Sequence, residues 1–359
     1  MSDSKIYYNY NKILSYNAFC TLIIKERGYG GTLGMKALGI REFLKKSGKQ
    51  FVWLRLNDID CQEVAKDKGK KFFSDVPCVI KDFELLNKAD IETDEEKVIS
   101  AKNEIGGSII KINGKTAGYI MSLHLFDQFK GTDYANVKWI FLDEFIPANS
   151  KRLTYDVAEA FANMVETLAR TRPDVRIIAC ANSIKKSNML LYKLGFKNIN
   201  DFGIYKNGKQ KDGSPLVVLH YAETNKAYKE LHADSNAGRL AKLMGYEGVI
   251  LNNEFDEDKS LYLDPAKALP FNNVEYIIHT QQDSFRLCRA KDFYFVRSDD
   301  NKTAYMRARI TFDKMLVNQY VKMGSTSLKS DLHNLAQTKS LRFENEYFKD
   351  LFYSIFVTK

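Results

Sequence analysis

Residues 21–46 read TLIIKERGYGGTLGMKALGIREFLKK, and this stretch decides the fold class of the amino-terminal part. The short apolar run at residues 21–24 predicts a buried strand, residues 25–32 predict a glycine-rich turn, and the remainder predicts a helix. In this arrangement the backbone N–H groups of the turn and the amino end of the helix point toward a bound anion. The stretch therefore predicts a phosphate-binding loop.

The turn departs from the usual phosphate-loop pattern, G-x-x-x-x-G-K-[ST]. Gly30 and Thr32 match its last glycine and its hydroxyl residue, whereas Lys25 stands at the first glycine and Gly31 at the lysine. Either Lys25 reaches back over the phosphates, or this is an ordinary strand-to-helix turn. Lys36, one helical turn further on, is a weaker substitute. The predicted nucleotide contacts are Lys25, Arg27, Gly28, Tyr29, Gly30, Gly31 and Thr32.

Further apolar runs predict buried strands at residues 51–55, 139–142, 176–181 and 216–220. A helix is predicted before the run at 176–181, because apolar side chains recur at helical spacing: Val157, Phe161, Met164, Val165 and Leu168. Strands alternating with helices predict an α/β fold, with a mostly parallel sheet covered on both faces. The pair Asn113-Gly114, within residues 109–121, predicts an added hairpin with a type I′ turn.

The pattern changes after residue 221. Residues 225–244 predict two short helices, and strands are then predicted at 274–279, 284–289, 293–297 and 304–311, before a helical tail. We therefore predict three parts. They are an α/β domain at 1–221 that contains the predicted phosphate-binding loop, a small linker or lid at 222–257, and a smaller α+β domain at 258–359.

An acidic pair ends the predicted strand at residues 139–142, in the sequence WIFLDEF. The carboxyl ends of parallel strands are where ligands bind in such sheets. Asp143 would hold Mg²⁺ together with Thr32, and Glu144 would polarise an attacking water. An acidic pair that merely ends a strand is the alternative, but its place downstream of the glycine-rich turn favours a nucleotide site.

Other polar residues end neighbouring elements. Arg170 and Arg172 end the helix before residues 176–181. From there an arginine can cross a subunit interface to a transferring phosphoryl group, or it can satisfy the helix carbonyls. Asn182 follows the next strand and is a candidate sensor of the γ-phosphate, and Arg55 ends the strand at 51–55 on the same side of the sheet.

The net charge of +9 and the pI near 9.0 favour a polyanionic partner. Basic side chains in predicted connecting segments are candidates for sequence-independent contacts with duplex phosphates, with solvated surface charge as the alternative: Lys66, Lys68, Lys70, Lys71, Lys130, Lys151 and Arg152. Five scattered cysteines without metal spacing indicate reduced thiols in a cytosol. No apolar run approaches the about 20 residues of a membrane span, so no membrane partner is expected.

Together these motifs resemble the DNA-packaging ATPases of φ29-type phages, which are terminase-like motors of the P-loop ATPase class. The matching stretches span residues 5–255 in the correct order: KILSY, RGYGGT, FVWLR, INGKTAGY, YANVKWIFLDEFI, ARTRPDVR, CANS and AGRLAKLMGYEG. Beyond them only the size and the strand pattern match.

The resemblance implies ATP and Mg²⁺ as cofactors, double-stranded DNA as the substrate, and a homopentameric ring at the capsid portal within the host cytoplasm. A scaffold RNA joins the motor in some relatives. The resemblance makes Asp143 the Mg²⁺ ligand, Glu144 the catalytic glutamate and Arg170 the trans-acting arginine finger. Asn182 falls in the motif that couples hydrolysis to movement.

Close relatives keep a lysine where this chain has Gly31. Terminases of lambdoid phages instead carry the lysine at the first position of the loop, where this chain has Lys25. Two interpretations therefore remain open. Either Lys25 contacts the phosphates in place of the missing lysine, or nucleotide binding is impaired.

Terminase motors generally carry an RNase H-like nuclease domain, which implies that fold for residues 258–359. A nuclease site needs convergent carboxylates that hold metal ions, but the first strand there offers only Glu275, and Asp299 and Asp300 are predicted turn residues. We expect a nucleic-acid-binding domain without nuclease activity. Its predicted basic residues are Arg286, Arg289, Lys291, Arg297, Arg307 and Arg309.

The leading hypothesis is an ATP-driven translocase that packages viral double-stranded DNA into a procapsid. One alternative is another ring-forming P-loop DNA pump or helicase. The other is an ATPase-impaired protein with a structural role at the portal.

Overall fold

The computed structural model describes most of the amino-terminal part and shorter stretches of the remainder. The described residues are 7–45, 48–76, 91–99, 104–126, 134–146, 156–182, 189–196, 199, 201–245, 274–279, 284–289, 293–298, 309–311, 321–322, 332, 334, 341–344 and 346–356. Two compact units are formed, Met1–Phe255 and Asp256–Lys359. The segment expected as a separate linker or lid at 222–257 falls almost entirely within the first unit.

The first unit contains a nine-stranded sheet in the order β3-β4-β5-β2-β6-β7-β1-β9-β8. Its strands are β1 (Cys20–Ile24), β2 (Gln50–Arg55), β3 (Ile91–Ile99), β4 (Glu104–Ile112), β5 (Lys115–Ser122), β6 (Val137–Asp143), β7 (Arg176–Ala181), β8 (Gly203–Lys209) and β9 (Pro215–Tyr221). The central run from β5 to β9 is parallel, and the outer strands pair antiparallel. The predicted mostly parallel sheet is confirmed.

Helices cover both faces of this sheet. They are α1 (Tyr10–Leu14), α2 (Gly31–Leu44), α3 (Asp58–Ala65), α4 (Lys70–Phe73), α5 (Val157–Leu168), α6 (Met189–Lys193), α7 (Lys226–Asp234) and α8 (Asn236–Leu243). Because side chains alternate along a strand, Leu22 packs in one core with Met164 of α5. Its neighbour Ile23 packs in the other core with Met35 of α2.

The predicted hairpin forms between β4 and β5. Asn113 and Gly114 have φ values of 53° and 70°, and positive φ at both central residues is the type I′ geometry that matches the twist of the flanking strands. Two antiparallel strands were not predicted, β3 and β8. Their sequences, IETDEEKVI and GIYKNGK, are too polar to form apolar runs.

The second unit contains a six-stranded sheet in the order β14-β13-β10-β11-β12-β15. Its elements are β10 (Val274–His279), β11 (Ser284–Arg289), β12 (Tyr294–Ser298), β13 (Arg309–Thr311), β14 (Val321–Lys322), β15 (Leu341–Phe343) and α9 (Glu346–Phe356). An antiparallel meander, β10 to β12, continues from its first strand into the parallel strands β13 and β14. Strand β15 pairs parallel with β12 at the other edge of this sheet. The RNase H-like fold expected for this part of the chain stays a prediction.

One of the predicted basic residues of this unit is not a surface residue. Arg286 is buried in β11, because its strand is central and it pairs in register with Ile277 and Arg297. Of the predicted strand 304–311 only Arg309–Thr311 is described as a strand. Glu275 lies in β10, whereas Lys291, Asp299, Asp300 and Arg307 lie outside the described residues.

Candidate nucleotide site

The glycine-rich turn joins β1 to α2 as the sequence predicts. The Lys25 backbone N–H donates to the Ala181 carbonyl at 3.1 Å, which carries the β1–β7 pairing one residue past the strand. Gly28 and Gly30 have φ values of 78° and 81°, a region that glycine enters without steric cost. Gly30 is the residue that caps α2. The helix therefore begins directly on the turn, with its free N–H groups facing the loop.

Lys25 crosses the loop and fills the space above Gly31. The residue is only 3% exposed, and its Nζ donates to the Asn182 Oδ1 at 2.6 Å and to the Glu26 carbonyl at 3.1 Å. A Cβ at position 31 would overlap the Lys25 Cε and would lie 2.5 Å from the Cys180 Sγ. Position 31 must therefore be glycine as long as Lys25 takes this route.

The two predicted metal ligands lie side by side. The Thr32 hydroxyl donates to the Asp143 carboxylate at 3.0 Å, although the residues are far apart in the sequence. Asp143 is 1% exposed, and burial raises the pKa of its carboxyl group, against the opposing effect of Arg55. Hydroxyl and carboxylate oxygens are the ligands that Mg²⁺ prefers, and a poorly compensated buried carboxylate gains from a nearby cation. The two side chains therefore fit a magnesium site.

Arg55 bridges the acidic pair. Its Nη2 lies 3.0 Å from the Asp143 Oδ2, and its Nη1 donates to the Glu144 Oε2 at 2.8 Å. Glu144 has a φ of 59°, in the left-handed region, and its side chain is 45% exposed. The sequence placed Arg55 on this side of the sheet but did not predict the bridge. The available signal was that β2 and β6 both end in charged residues.

Two tyrosines that lie outside the loop in the sequence donate hydrogen bonds to its backbone carbonyls, and neither was predicted. The Tyr10 hydroxyl of α1 donates to the Gly31 carbonyl at 2.7 Å. The Tyr228 hydroxyl of α7 donates to the Arg27 carbonyl at 3.4 Å, and a Cβ at Gly28 would collide with it. Tyr29 is buried, whereas Arg27 is exposed at the mouth of the loop.

Lys36 does not face the loop. Its Nζ lies 2.6 Å from the Asp75 Oδ1, and it donates to the Phe72 carbonyl at 2.6 Å. Both partners belong to the segment around α4. Of the two lysines considered for the missing loop lysine, only Lys25 therefore has its ammonium at the loop.

The two arginines after α5 have different surroundings. Arg172 donates to the carbonyls of Tyr134, Ala135 and Val137 at 3.0, 2.9 and 3.1 Å, and also to that of Leu168. Arg170 is exposed, has a φ of 44°, and makes no side-chain hydrogen bond or ion pair with any part of the chain that the structure describes. Carbonyl capping therefore accounts for Arg172 but not for Arg170.

The predicted DNA-contacting residues fall in two groups. Lys66, Lys68, Lys70 and Lys71 are exposed in the 3₁₀ turn Lys66–Gly69 and the first turn of α4. Lys66 is also 3.4 Å from Glu63. Lys130, Lys151 and Arg152 lie outside the described residues.

The described residues contain no group of three or more histidine, cysteine, aspartate or glutamate side chains placed to hold a metal ion. None of the helices they form has both the length and the apolar character needed to cross a membrane.

The chain is 25% identical to the DNA packaging protein of Bacillus phage phi29, covering 99% of this chain and 98% of that protein. It is 23% identical to the DNA packaging protein of Bacillus phage B103, covering 96% and 98%.

Solved structures share the fold over nearly the whole length. A chain of the bacteriophage Phi-29 viral genome packaging motor assembly aligns with a TM-score of 0.66 and 21% identity, covering 98% of each chain. A chain of the Phi-28 gp11 DNA packaging motor aligns with a TM-score of 0.64 and 16% identity, covering 99% of each. The profile of the Podovirus DNA encapsidation protein (Gp16) family matches residues 1–357. The chain therefore belongs to the Podovirus DNA encapsidation protein (Gp16) family.

Proposed function

We propose that this protein is an ATP-driven motor that translocates double-stranded DNA through the portal into a phage procapsid. One observation carries the proposal. The carboxyl edge of the sheet brings Lys25, Thr32, Asp143 and Glu144 to the glycine turn, as a nucleoside triphosphatase requires. The packaging role is supported by the phi29 relative, which is a DNA packaging protein.

Each side chain has a role set by its position. The loop amides and the Lys25 ammonium would neutralise the phosphates. Thr32 and Asp143 would hold Mg²⁺, which supplies charge neutralisation at the transferring phosphoryl group. Glu144 would accept a hydrogen bond from the attacking water once its ion pair with Arg55 opens. Asn182, already in contact with the Lys25 ammonium, would report on the γ-phosphate.

Arg170 would complete the site of a neighbouring subunit. It lies where α5 leads into the amino end of β7, and the six-residue β7 spans about 20 Å at about 3.3 Å per residue. Its own nucleotide site lies beyond the opposite end of that strand. A ring of subunits, which the resemblance predicts to be pentameric and docked at the portal, would let this exposed guanidinium act in trans. A scaffold RNA stays a prediction of the resemblance alone.

The alternative of impaired nucleotide binding is disfavoured by the route of Lys25. A loop that had lost its lysine would leave the space above Gly31 empty, whereas the Lys25 stem fills it. We also propose that the second unit contacts nucleic acid without cutting it, and that the exposed lysines at residues 66–71 contact duplex phosphates.

Substitution of Lys25 by alanine tests the proposal. We expect ATP hydrolysis to fall by about 10²-fold or more, because one positioned charge at the transition state is lost. Lys211→Ala, at an exposed turn, is the matched control and should retain wild-type activity. Unchanged hydrolysis in Lys25→Ala would contradict the role of Lys25 at the phosphates.

Two further measurements separate the alternatives. Stimulation of hydrolysis by duplex DNA, and not by single strands, is expected of a duplex translocase, whereas preference for single strands would favour a helicase. Incubation of a plasmid with Mg²⁺ or Mn²⁺ should leave it intact. Cleavage would contradict the proposed loss of nuclease activity.

A further inference from the structure

A buried lysine ties the phosphate-loop helix to the segment that carries the exposed lysines. We call residues 66–71 the lysine turn. Lys36 of α2 is 3% exposed, and its Nζ lies 2.6 and 2.8 Å from the two Asp75 carboxylate oxygens. It also donates to the Phe72 carbonyl at 2.6 Å and lies 4.4 Å from the centre of the Phe72 ring.

The Lys36 ammonium is buried, whereas the Asp75 side chain is 49% exposed, so the ion pair lies at the boundary with solvent. Burial lowers the pKa of the Lys36 ammonium, and the Asp75 carboxylate opposes that shift. Within the described part of the chain, its hydrogen-bond partners all lie in residues 72–75, directly after the lysine turn. A buried ammonium that lost them would have no hydrogen-bond partner among the described residues and would keep only the electrostatic attraction of Asp143. The position of α2 and the position of this segment are therefore linked.

The same helix carries the nucleotide-site threonine. Thr32 and Lys36 are four residues apart and lie on one face of α2. Thr32 contacts Asp143, and Lys36 contacts Asp75. A shift of the first turn of α2 when phosphate binds would reach Lys36 through a single rigid helix.

The lysine turn is itself held in a fixed conformation. Asp67, Lys68 and Gly69 have φ values of 54°, 55° and 67°, which makes three successive left-handed residues. Residues other than glycine keep a left-handed backbone conformation only where the surrounding structure holds them in it. Phe73 and Val76 supply such anchors, since both are buried.

We infer that Lys36 is a positioning residue that couples the nucleotide site to a phosphate-contacting lysine turn, through its ion pair with Asp75. The inference rests on the proposed function and deepens it. In this inference the lysine turn contacts the duplex, and its position on the duplex changes with the nucleotide state.

Asp75→Asn tests the inference without altering the nucleotide site. We expect the ratio of duplex-stimulated to basal hydrolysis to fall by about fivefold or more, with the basal rate within about twofold of wild type, because only the coupling is removed. Glu63→Gln is the matched control, since it removes a carboxylate from the exposed Lys66 ion pair nearby. It should keep the wild-type ratio.

A second readout does not depend on activity. Hydrogen exchange of residues 66–76 should slow when a non-hydrolysable ATP analogue and Mg²⁺ are added to the wild-type chain, and not when they are added to Asp75→Asn. Lys36→Arg should keep the protection, and Lys36→Met should lose it. Wild-type stimulation and protection in Asp75→Asn would overturn the coupling. Absence of duplex stimulation in the wild type would overturn the proposed function, and the inference with it.

Discussion

The charged side chains of the nucleotide site, at the carboxyl edge of the parallel sheet, differ in their surroundings from Arg170, at the amino edge. At the carboxyl edge Lys25 and Asp143 are buried, and the ion pairs of Arg55 join Asp143 to Glu144. At the amino edge Arg170 extends into solvent without a partner among the described residues. A buried charge needs partners from its own chain, whereas an exposed one is free to meet another molecule. The carboxyl edge thus suits a self-contained site, and the amino edge suits a contact between subunits.

Arg170→Ala is the most severe test of this comparison. We expect hydrolysis by the assembled motor to fall by about 10³-fold or more, as for the loss of an arginine finger. Nucleotide binding by the isolated chain should not change. The measurement is the steady-state hydrolysis rate of assembled motors, beside nucleotide titration of the monomer.

Mixing two inactive variants tests whether Arg170 acts on the nucleotide site of a neighbouring subunit. Glu144→Gln subunits should be nearly inactive by themselves but should supply an intact Arg170. Mixed rings of Arg170→Ala and Glu144→Gln subunits should recover part of the activity. If no mixture recovers activity, Arg170 does not act across an interface.

Moving the loop lysine from position 25 to position 31 tests the packing at the carboxyl edge. Lys25→Gly should lower hydrolysis by about 10²-fold because the phosphate charge is lost. Gly31→Lys should also lower it, because the new side chain collides with the Lys25 stem. The double variant with both changes should regain much of the activity in the same hydrolysis assay. A double variant no better than either single variant would show that the two positions do not share one space.

Arg172→Ala should have the smallest effect on chemistry and should act on stability instead. Loss of its hydrogen bonds to backbone carbonyls should lower the free energy of unfolding by about 1–3 kcal/mol. The midpoint of urea unfolding measures this. Arg239→Ala, at an exposed position of α8, should leave the midpoint unchanged. A large loss of hydrolysis in folded Arg172→Ala would assign it the role we give to Arg170.

The sequence was sufficient wherever local pattern decides the structure. Apolar runs located the central strands because those strands are buried on both faces, and Asn113-Gly114 located the hairpin. The polar edge strands β3 and β8 were not predicted, because their pairing depends on a neighbouring strand and not on their own apolar content.

For the candidate site, the sequence predicted which residues meet but not how they are held. The order of the motifs was enough to predict that Thr32 and Asp143 meet at one edge of the sheet. The bridge made by Arg55, the support from Tyr228 and the turning away of Lys36 all depend on side-chain packing between distant segments. The route of Lys25 over Gly31 likewise became clear only from packing.

The shared space above position 31 also limits how such loops can have diverged. Two substitutions separate a loop with its lysine at 25 from one with its lysine at 31. One intermediate would hold two lysines where the packing accepts one, and the other would hold none. With the losses predicted above for Lys25→Gly and Gly31→Lys, neither step would be neutral, and a change from one arrangement to the other would pass through a weakened protein or need both substitutions together.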